Sequence, residues 1–185
     1  TSMVLDDNMQ NDQNIGSFTV ASSYLNCDEL IGWTVGTQWS LSTDTALSMG
    51  SSCHVGNGQS STYSNNLATS LVTPIMDMSD AVSNPTRTNG LGFYYTGSVM
   101  AGDVLKIEAL SAMGGWYQLG SISSSIDQNF VDGQDYQTFS VNHAGATSPL
   151  IPTPQEYFHS QTQFRFLFES DSSGTDIGYY LDELV

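Results

Sequence analysis

The chain is 185 residues long and carries 19 Asp and Glu against three Lys and Arg, a formal net charge of -16. That balance excludes recognition of nucleic-acid phosphates and adhesion to anionic membrane surfaces, both of which need clustered cations. Hydrophobic residues at 39% and aromatics at 11% exclude a disordered chain, and the length suits one domain able to bury its own core.

In chain order, Met3 to Asp7 is a short opening strand, and Phe18 to Tyr24 is a second candidate. Trp33-Thr34-Val35 and Trp39-Ser40-Leu41 read as a hairpin around Gly36-Thr37-Gln38. Ala46 to Met49 is a short strand, and the Gly/Ser-rich stretch Gly50 to Ser64 is a loop. Leu67 to Pro74 is a strand ending at a proline, and Ile75 to Ala81 crosses over at a sheet edge. Leu91 to Tyr95 is a strand, and Asp103 to Ser111 alternates through Leu105, Ile107 and Ala109. Gly114-Gly115 turns this strand into a returning one that begins Trp116-Tyr117. Gln137 to Val141 is a strand, followed by a proline-bearing loop, His143 to Gln155.

The clearest signal is near the end. Phe164, Phe166 and Phe168 alternate with Arg165 and Glu169, the pattern of a half-buried antiparallel strand. Ser170 to Gly178 connects it to Tyr179-Tyr180-Leu181-Asp182-Glu183, an apolar strand that closes on two acids. A carboxylate there needs a cation or a row of backbone N–H donors, because an unpaired buried charge is costly. Long helical periodicity is missing throughout. Many short strands at this spacing predict an all-β, two-sheet antiparallel jelly-roll sandwich. It spans residues 1–185 as a single domain.

Cys27 and Cys53 are the two cysteines. A Cys27–Cys53 disulfide is the simple reading in an oxidising setting, with two buried free thiols as the alternative. A zinc site is disfavoured, since His54, His143 and His159 show no ligand spacing with them. No stretch has the length of a membrane span, so no membrane insertion is expected. The chain starts at Thr1 without a signal peptide and stops just after a strand. It reads as a monomeric module excised from a longer extracellular protein. The sequence has no nucleophile elbow, zinc-protease helix or phosphate loop, so no catalytic residue is expected.

The order of motifs is recognisable. Gly32-Trp33-Thr34 and Trp39 are followed by Tyr63-Ser64-Asn65-Asn66, Leu71-Val72-Thr73-Pro74 and Ile75-Met76-Asp77. Then come Leu91-Gly92-Phe93-Tyr94-Tyr95, Gly114-Gly115-Trp116, Phe164-Arg165-Phe166 and Tyr180-Leu181-Asp182-Glu183. From Trp33 onward the chain resembles MAM-like and immune-inhibitor-A-like jelly-roll modules of secreted prokaryotic proteins, and its general plan is similar to carbohydrate-binding jelly rolls. Two departures stand out: residues 12–28 look like an insertion, and Ala112-Met113-Gly114-Gly115 replaces an acidic turn.

The resemblance implies an accessory role beside a parent peptidase or glycosidase. It also implies a structural Ca²⁺ between the first and last strands, held by Asp6 or Asp7 with Asp182 and Glu183. The stretch Asp171 to Asp176 offers alternating oxygen donors but lacks the closing Glu of a helix–loop–helix site, and reads as a turn. Trp33 and Trp39 are expected in the core, whereas Trp116, Tyr117, Tyr157 and His159 are candidates for a ligand-facing surface. The expected function is a non-catalytic extracellular module that binds a polysaccharide or other cell-surface polymer. The alternative is an adhesion spacer with no small ligand.

Overall fold

The computed structural model describes residues 25, 27–47, 50–58, 61–79, 90–123, 137–142 and 154–184. Two antiparallel five-stranded sheets face each other. The first is ordered β1-β4-β9-β6-β7, from strands Thr34–Val35, Ala68–Val72, Phe164–Glu169, Val104–Leu110 and Trp116–Ile122. The second is ordered β2-β3-β10-β5-β8, from Trp39–Ser42, Ser52–Val55, Gly178–Asp182, Gly90–Ser98 and Gln137–Asn142. A four-residue helical turn, α1 (Pro154–Tyr157), accompanies the sheets, and the architecture of the described residues is nearly all-β, as the strand spacing predicts. Among the described residues, no helix is long and apolar enough to cross a membrane.

The two strands nearest the carboxyl end organise the core. β9 is central to the first sheet, and its three phenylalanines are buried while the residues between them are half-buried. β10 is central to the second sheet and is buried at every position. Phe166 meets Phe93 edge-on at 5.2 Å, and Tyr179 meets Tyr95 edge-on at 6.1 Å. These contacts follow from strand alternation, which sends one member of each aromatic doublet inward. Trp39 is buried, and Trp33 is half-buried against the core.

The disulfide expected from the sequence is formed: Cys27 and Cys53 have Cα atoms 5.2 Å apart. It fastens the segment around Cys27 to β3, while Leu25 and Leu184 exchange backbone hydrogen bonds of 2.9 and 3.0 Å.

Three local expectations are corrected. Trp33–Val35 and Trp39–Leu41 do not form a hairpin, because β1 pairs with β4 in one sheet and β2 with β3 in the other. Gly36 is the crossing point. Its N–H donates to the Ser70 carbonyl at 2.8 Å, and a Cβ there would sit 2.6 Å from that oxygen. The Gly/Ser-rich stretch holds a strand after all: β3, Ser-Cys-His-Val, is buried along its whole length. Its small polar residues suit a strand covered on both faces rather than a loop. Ala46 and Leu47 lie outside any strand.

The openings of other strands depend on glycine. Gly178 begins β10 at φ +85°, and a Cβ there would fall 2.0 Å from the Val55 carbonyl of β3. The strands expected at Met3–Asp7 and Phe18–Tyr24, and most of the proposed insertion at 12–28, lie outside the described residues.

Candidate functional site

A two-sheet sandwich has two outer faces, and in this molecule they differ. On the second sheet the outward positions form the row Ser40–His54–Tyr180–Thr96, flanked by Ser42–Ser52 and Asp182. His54, Ser42, Ser52, Thr96 and Asp182 have no solvent exposure. The segment 43–47 folds back over this face. Thr45 O accepts from Ser52 Oγ at 2.5 Å, and the Leu47 N–H donates to Asp182 Oδ2 at 2.8 Å. His54 stacks on Tyr180, with ring centroids 4.2 Å apart and planes 10° from parallel, and its Nε2 lies 2.7 Å from Ile177 O. That carbonyl can only accept, so the ring carries its proton on Nε2. Burial holds the His54 pKa below the usual histidine value, against the pull of the Ile177 carbonyl.

The outer face of the first sheet is less closed among the described residues: Val72 and Glu108 are buried at its centre, Arg165, Lys106 and Leu167 are half-buried, and Gln118 and Ser121 are exposed on its edge strand. Register places Thr34, Val72, Arg165, Glu108 and Gln118 in one row across all five strands. Ser70, Leu167, Lys106 and Ser121 form the next row, and Leu110 with Trp116 lies on the other side. A register shift between Ile107 and Glu108 makes Leu119 an extra residue in β7, which keeps Gln118 and Trp116 on the outer face. Two of the chain's three cations are here, each matched: Arg165 Nε bonds Glu108, and Lys106 pairs with Glu169. The Arg165 guanidinium also lies over the Trp116 ring, 4.5 Å from its centroid. Among the described residues, the charges of these two pairs therefore cancel on this face of a strongly acidic protein.

The surface candidates read from the sequence separate on this frame. Trp116 is on the open face and half-buried. Tyr117, its neighbour, points the opposite way beside Ala109 and is 45% exposed only because β7 is an edge strand. The two therefore do not share one platform. Tyr157 is not at the surface: it is 2% exposed and packs on Phe158, with ring centroids 5.2 Å apart. His159 is half-buried and bound up locally, with Nε2 3.1 Å from Leu110 O and Nδ1 accepting from the Gln161 N–H at 3.2 Å. It fastens α1 to the end of β6, together with a 2.6 Å bond from the Ala112 N–H to Glu156 O.

Of the residues expected to hold a cation, Asp182 and Glu183 lie among the described residues, and Asp182 is fully buried. Its carboxylate accepts from the backbone N–H groups of Leu47 and Glu183, each at 2.8 Å. Backbone donors thus supply part of what its burial requires. Glu183 adopts a left-handed φ of +49° directly after the strand. Asp6 and Asp7 lie outside the described residues. Among the described residues, no three His, Cys, Asp or Glu side chains gather as a metal-holding group.

The stretch Asp171 to Asp176 is a turn. Asp171 Oδ1 accepts from both the N–H and the hydroxyl of Ser173, at 2.7 and 2.6 Å, and this holds its carboxyl below the usual range. Asp103, fully buried beside this turn, accepts from the Tyr63 hydroxyl and from the Asp171 N–H at 2.8 Å.

Sequence reasoning missed Arg165, Glu108 and Gln118 as site residues. The alternation of Phe164 to Phe168 already put Arg165 on the non-core face. Nothing in the sequence aligned it with Glu108 and Gln118, because that needs the β9–β6–β7 register.

No protein-family profile and no curated protein matches this chain. Solved structures of similar shape include the CBM22-1 xylan-binding domain of Paenibacillus barcinonensis Xyn10C, 11% identical over 88% of this chain and 90% of that one, with a TM-score of 0.47. TmCBM61, solved with β-1,4-galactotriose, is 10% identical over 85% and 88%, with a TM-score of 0.48. The C-terminal family 22 carbohydrate binding module of Clostridium thermocellum Xyn10B is 12% identical over 88% and 90%, with a TM-score of 0.46. These are carbohydrate-binding modules; none is a MAM-like or immune-inhibitor-A-like domain. At such identities and scores the ligand has to be argued from this chain's own residues.

Proposed function

We propose that this chain is a non-catalytic module that binds polysaccharide on the open face of its first sheet. The observation that carries the reading is the contrast between the two outer faces. One is closed over buried Tyr180 and His54, while the other presents a partly exposed tryptophan within a neutral, polar surface. An indole edge beside the Gln118 amide and the Arg165 guanidinium suits a sugar, which offers C–H surface and hydroxyls together. The carboxylates on this face, Glu108 and Glu169, are each matched to a cation, an arrangement that serves surface structure rather than glycoside cleavage.

The buried disulfide supports an extracellular, oxidising setting. Calcium belongs to the same reading as a stabiliser, with Asp182 and Glu183 as the expected side chains among the described residues. A monomeric, MAM-like or immune-inhibitor-A-like module beside a secreted peptidase or glycosidase fits this role.

Affinity electrophoresis through gels carrying different polysaccharides tests the reading. At least one polymer should retard the protein, and Trp116→Ala should weaken that retention by about tenfold, the equivalent of ~1.4 kcal/mol. Equal mobility in every gel would defeat it. The adhesion-spacer alternative draws on a different feature, the exposed Ile31, Val35 and Ile75 near the β1–β4 edge. It would be favoured if mobility were unaffected by every polymer.

A further inference from the structure

The row Arg165–Glu108–Gln118 has a chemistry that narrows the ligand class, and the argument rests on the polysaccharide reading above. Arg165 is held on two sides: its Nε bonds Glu108 and its plane lies over Trp116. Its two terminal amino groups have no acceptor among the described residues and are not sealed from solvent. Glu108 gives one carboxylate oxygen to Arg165; its side chain is largely buried, at 11% exposure, and its other oxygen is not among the buried unpartnered atoms. Gln118, exposed and directly across the strand pair from Glu108, adds an amide with both a donor and an acceptor. A fixed donor fork therefore stands beside a fixed acceptor.

A sugar hydroxyl donates and accepts, so two adjacent hydroxyls can satisfy both groups at once. A carboxylate or sulfate only accepts. It could take the Arg165 fork, but it would then lie against Glu108, in the field of a chain carrying -16. We infer that Arg165, Glu108 and Gln118 form a subsite for vicinal hydroxyls of an uncharged glycan, and that Glu108 makes the site reject uronate and sulfated polymers.

The test compares retention in gels of neutral xylan, glucomannan and mixed-linkage β-glucan with gels of polygalacturonate and alginate, at low and high salt. The wild-type protein should be retained by at least one neutral polymer, by neither acidic one, and with no loss at high salt, since no net charge is exchanged. Arg165→Gln should weaken neutral retention by about tenfold. Arg165→Lys should lose most of it as well, because lysine keeps the charge but not the fork. It serves in place of Arg165→Gln if that variant does not fold. Glu108→Gln should begin to be retained by polygalacturonate at low salt, a gain that a merely structural role for Glu108 would not produce. Wild-type retention by the acidic gels as strong as by neutral ones would overturn the inference while leaving polysaccharide binding intact. So would unchanged neutral retention in both Arg165 variants. No retention in any gel would remove the polysaccharide reading itself, and this subsite with it.

Discussion

Replacing both cysteines with alanine probes how the segment around Cys27 is anchored. The bridge joins residues 26 apart in sequence. Loop-closure arithmetic for that span gives about 3.5 kcal/mol of stabilisation, through restriction of the unfolded chain. In a domain of this size that corresponds to a fall in Tm of roughly 7–14 °C. Both cysteines are buried, at 0% and 1% exposure, so two small cavities add to the loss. Urea unfolding followed by tryptophan fluorescence is the assay. The midpoint should fall and the m-value should rise, because the uncrosslinked unfolded chain exposes more surface. The bridge also steadies the Leu25–Leu184 pair at the end of β10, so amide exchange at Leu184 should accelerate. A stability loss under about 1 kcal/mol with an unchanged m-value would refute the reasoning. It would mean that the unfolded chain stays compact, or that residues 25–27 are held independently of the bridge.

Other perturbations reach different parts of the molecule. Tyr63→Phe removes a donor to the buried Asp103 and the acceptor of the Met100 N–H; it should cost about 1.5–3 kcal/mol in urea unfolding, the range for a hydrogen bond to a charged group. Burial, and then the Asp103 bond, raise the Tyr63 pKa, and burial raises that of Tyr179 as well, so ultraviolet titration should find both ionising well beyond the ordinary range and Tyr63→Phe should remove one of them. His54 has a folded pKa below its unfolded value of 6.5, so the unfolded chain binds more protons below that pH. Its contribution is complete above about pH 6.5 and is lost as pH falls towards the folded pKa, and His54→Phe, which keeps a ring against Tyr180, should flatten the fall in Tm between pH 7 and pH 5. For calcium, chelation should lower the wild-type Tm and leave Asp182→Ala insensitive; an unchanged wild-type melt would remove the metal from the reading.

Much of the fold was legible because its strongest strands carry their own pattern. The alternation of Phe164 to Phe168 defines a strand with one core face, and Gly114-Gly115 closes the β6–β7 hairpin with both glycines at positive φ. The cysteine pair was legible because its alternatives were few. What failed were judgements that depended on partners distant in sequence. Ser52 to Val55 looks like a loop by composition, and it is a strand because β2, β10 and a returning segment cover it. Thr34–Val35 looked like half of a hairpin because Trp39 follows so soon, yet the intervening Gly36 fits against the Ser70 backbone and sends the chain to the other sheet. The site shows the same limit. Trp116 could be proposed from its type and place, while the Arg165–Glu108–Gln118 row exists only in the register of three strands.

The two central strands also explain why the two outer faces differ among the described residues. A strand with one wet face must alternate, whereas a strand covered on both sides can be apolar or neutral-polar throughout. β9, Phe-Arg-Phe-Leu-Phe-Glu, alternates, and its outward residues Arg165 and Glu169 each pair with a carboxylate or cation from β6. β10, Gly-Tyr-Tyr-Leu-Asp, does not alternate, and its outward Tyr180 and Asp182 are closed in, one against His54 and the other on backbone donors. Opening that second face would expose the Tyr180 ring and strip Asp182 of the Leu47 N–H, both against the burial that holds segment 43–47 in place. On the first face, by contrast, Arg165 is already fixed between Glu108 and Trp116. Among the described residues, the preorganised outward side chains are therefore those built around β9.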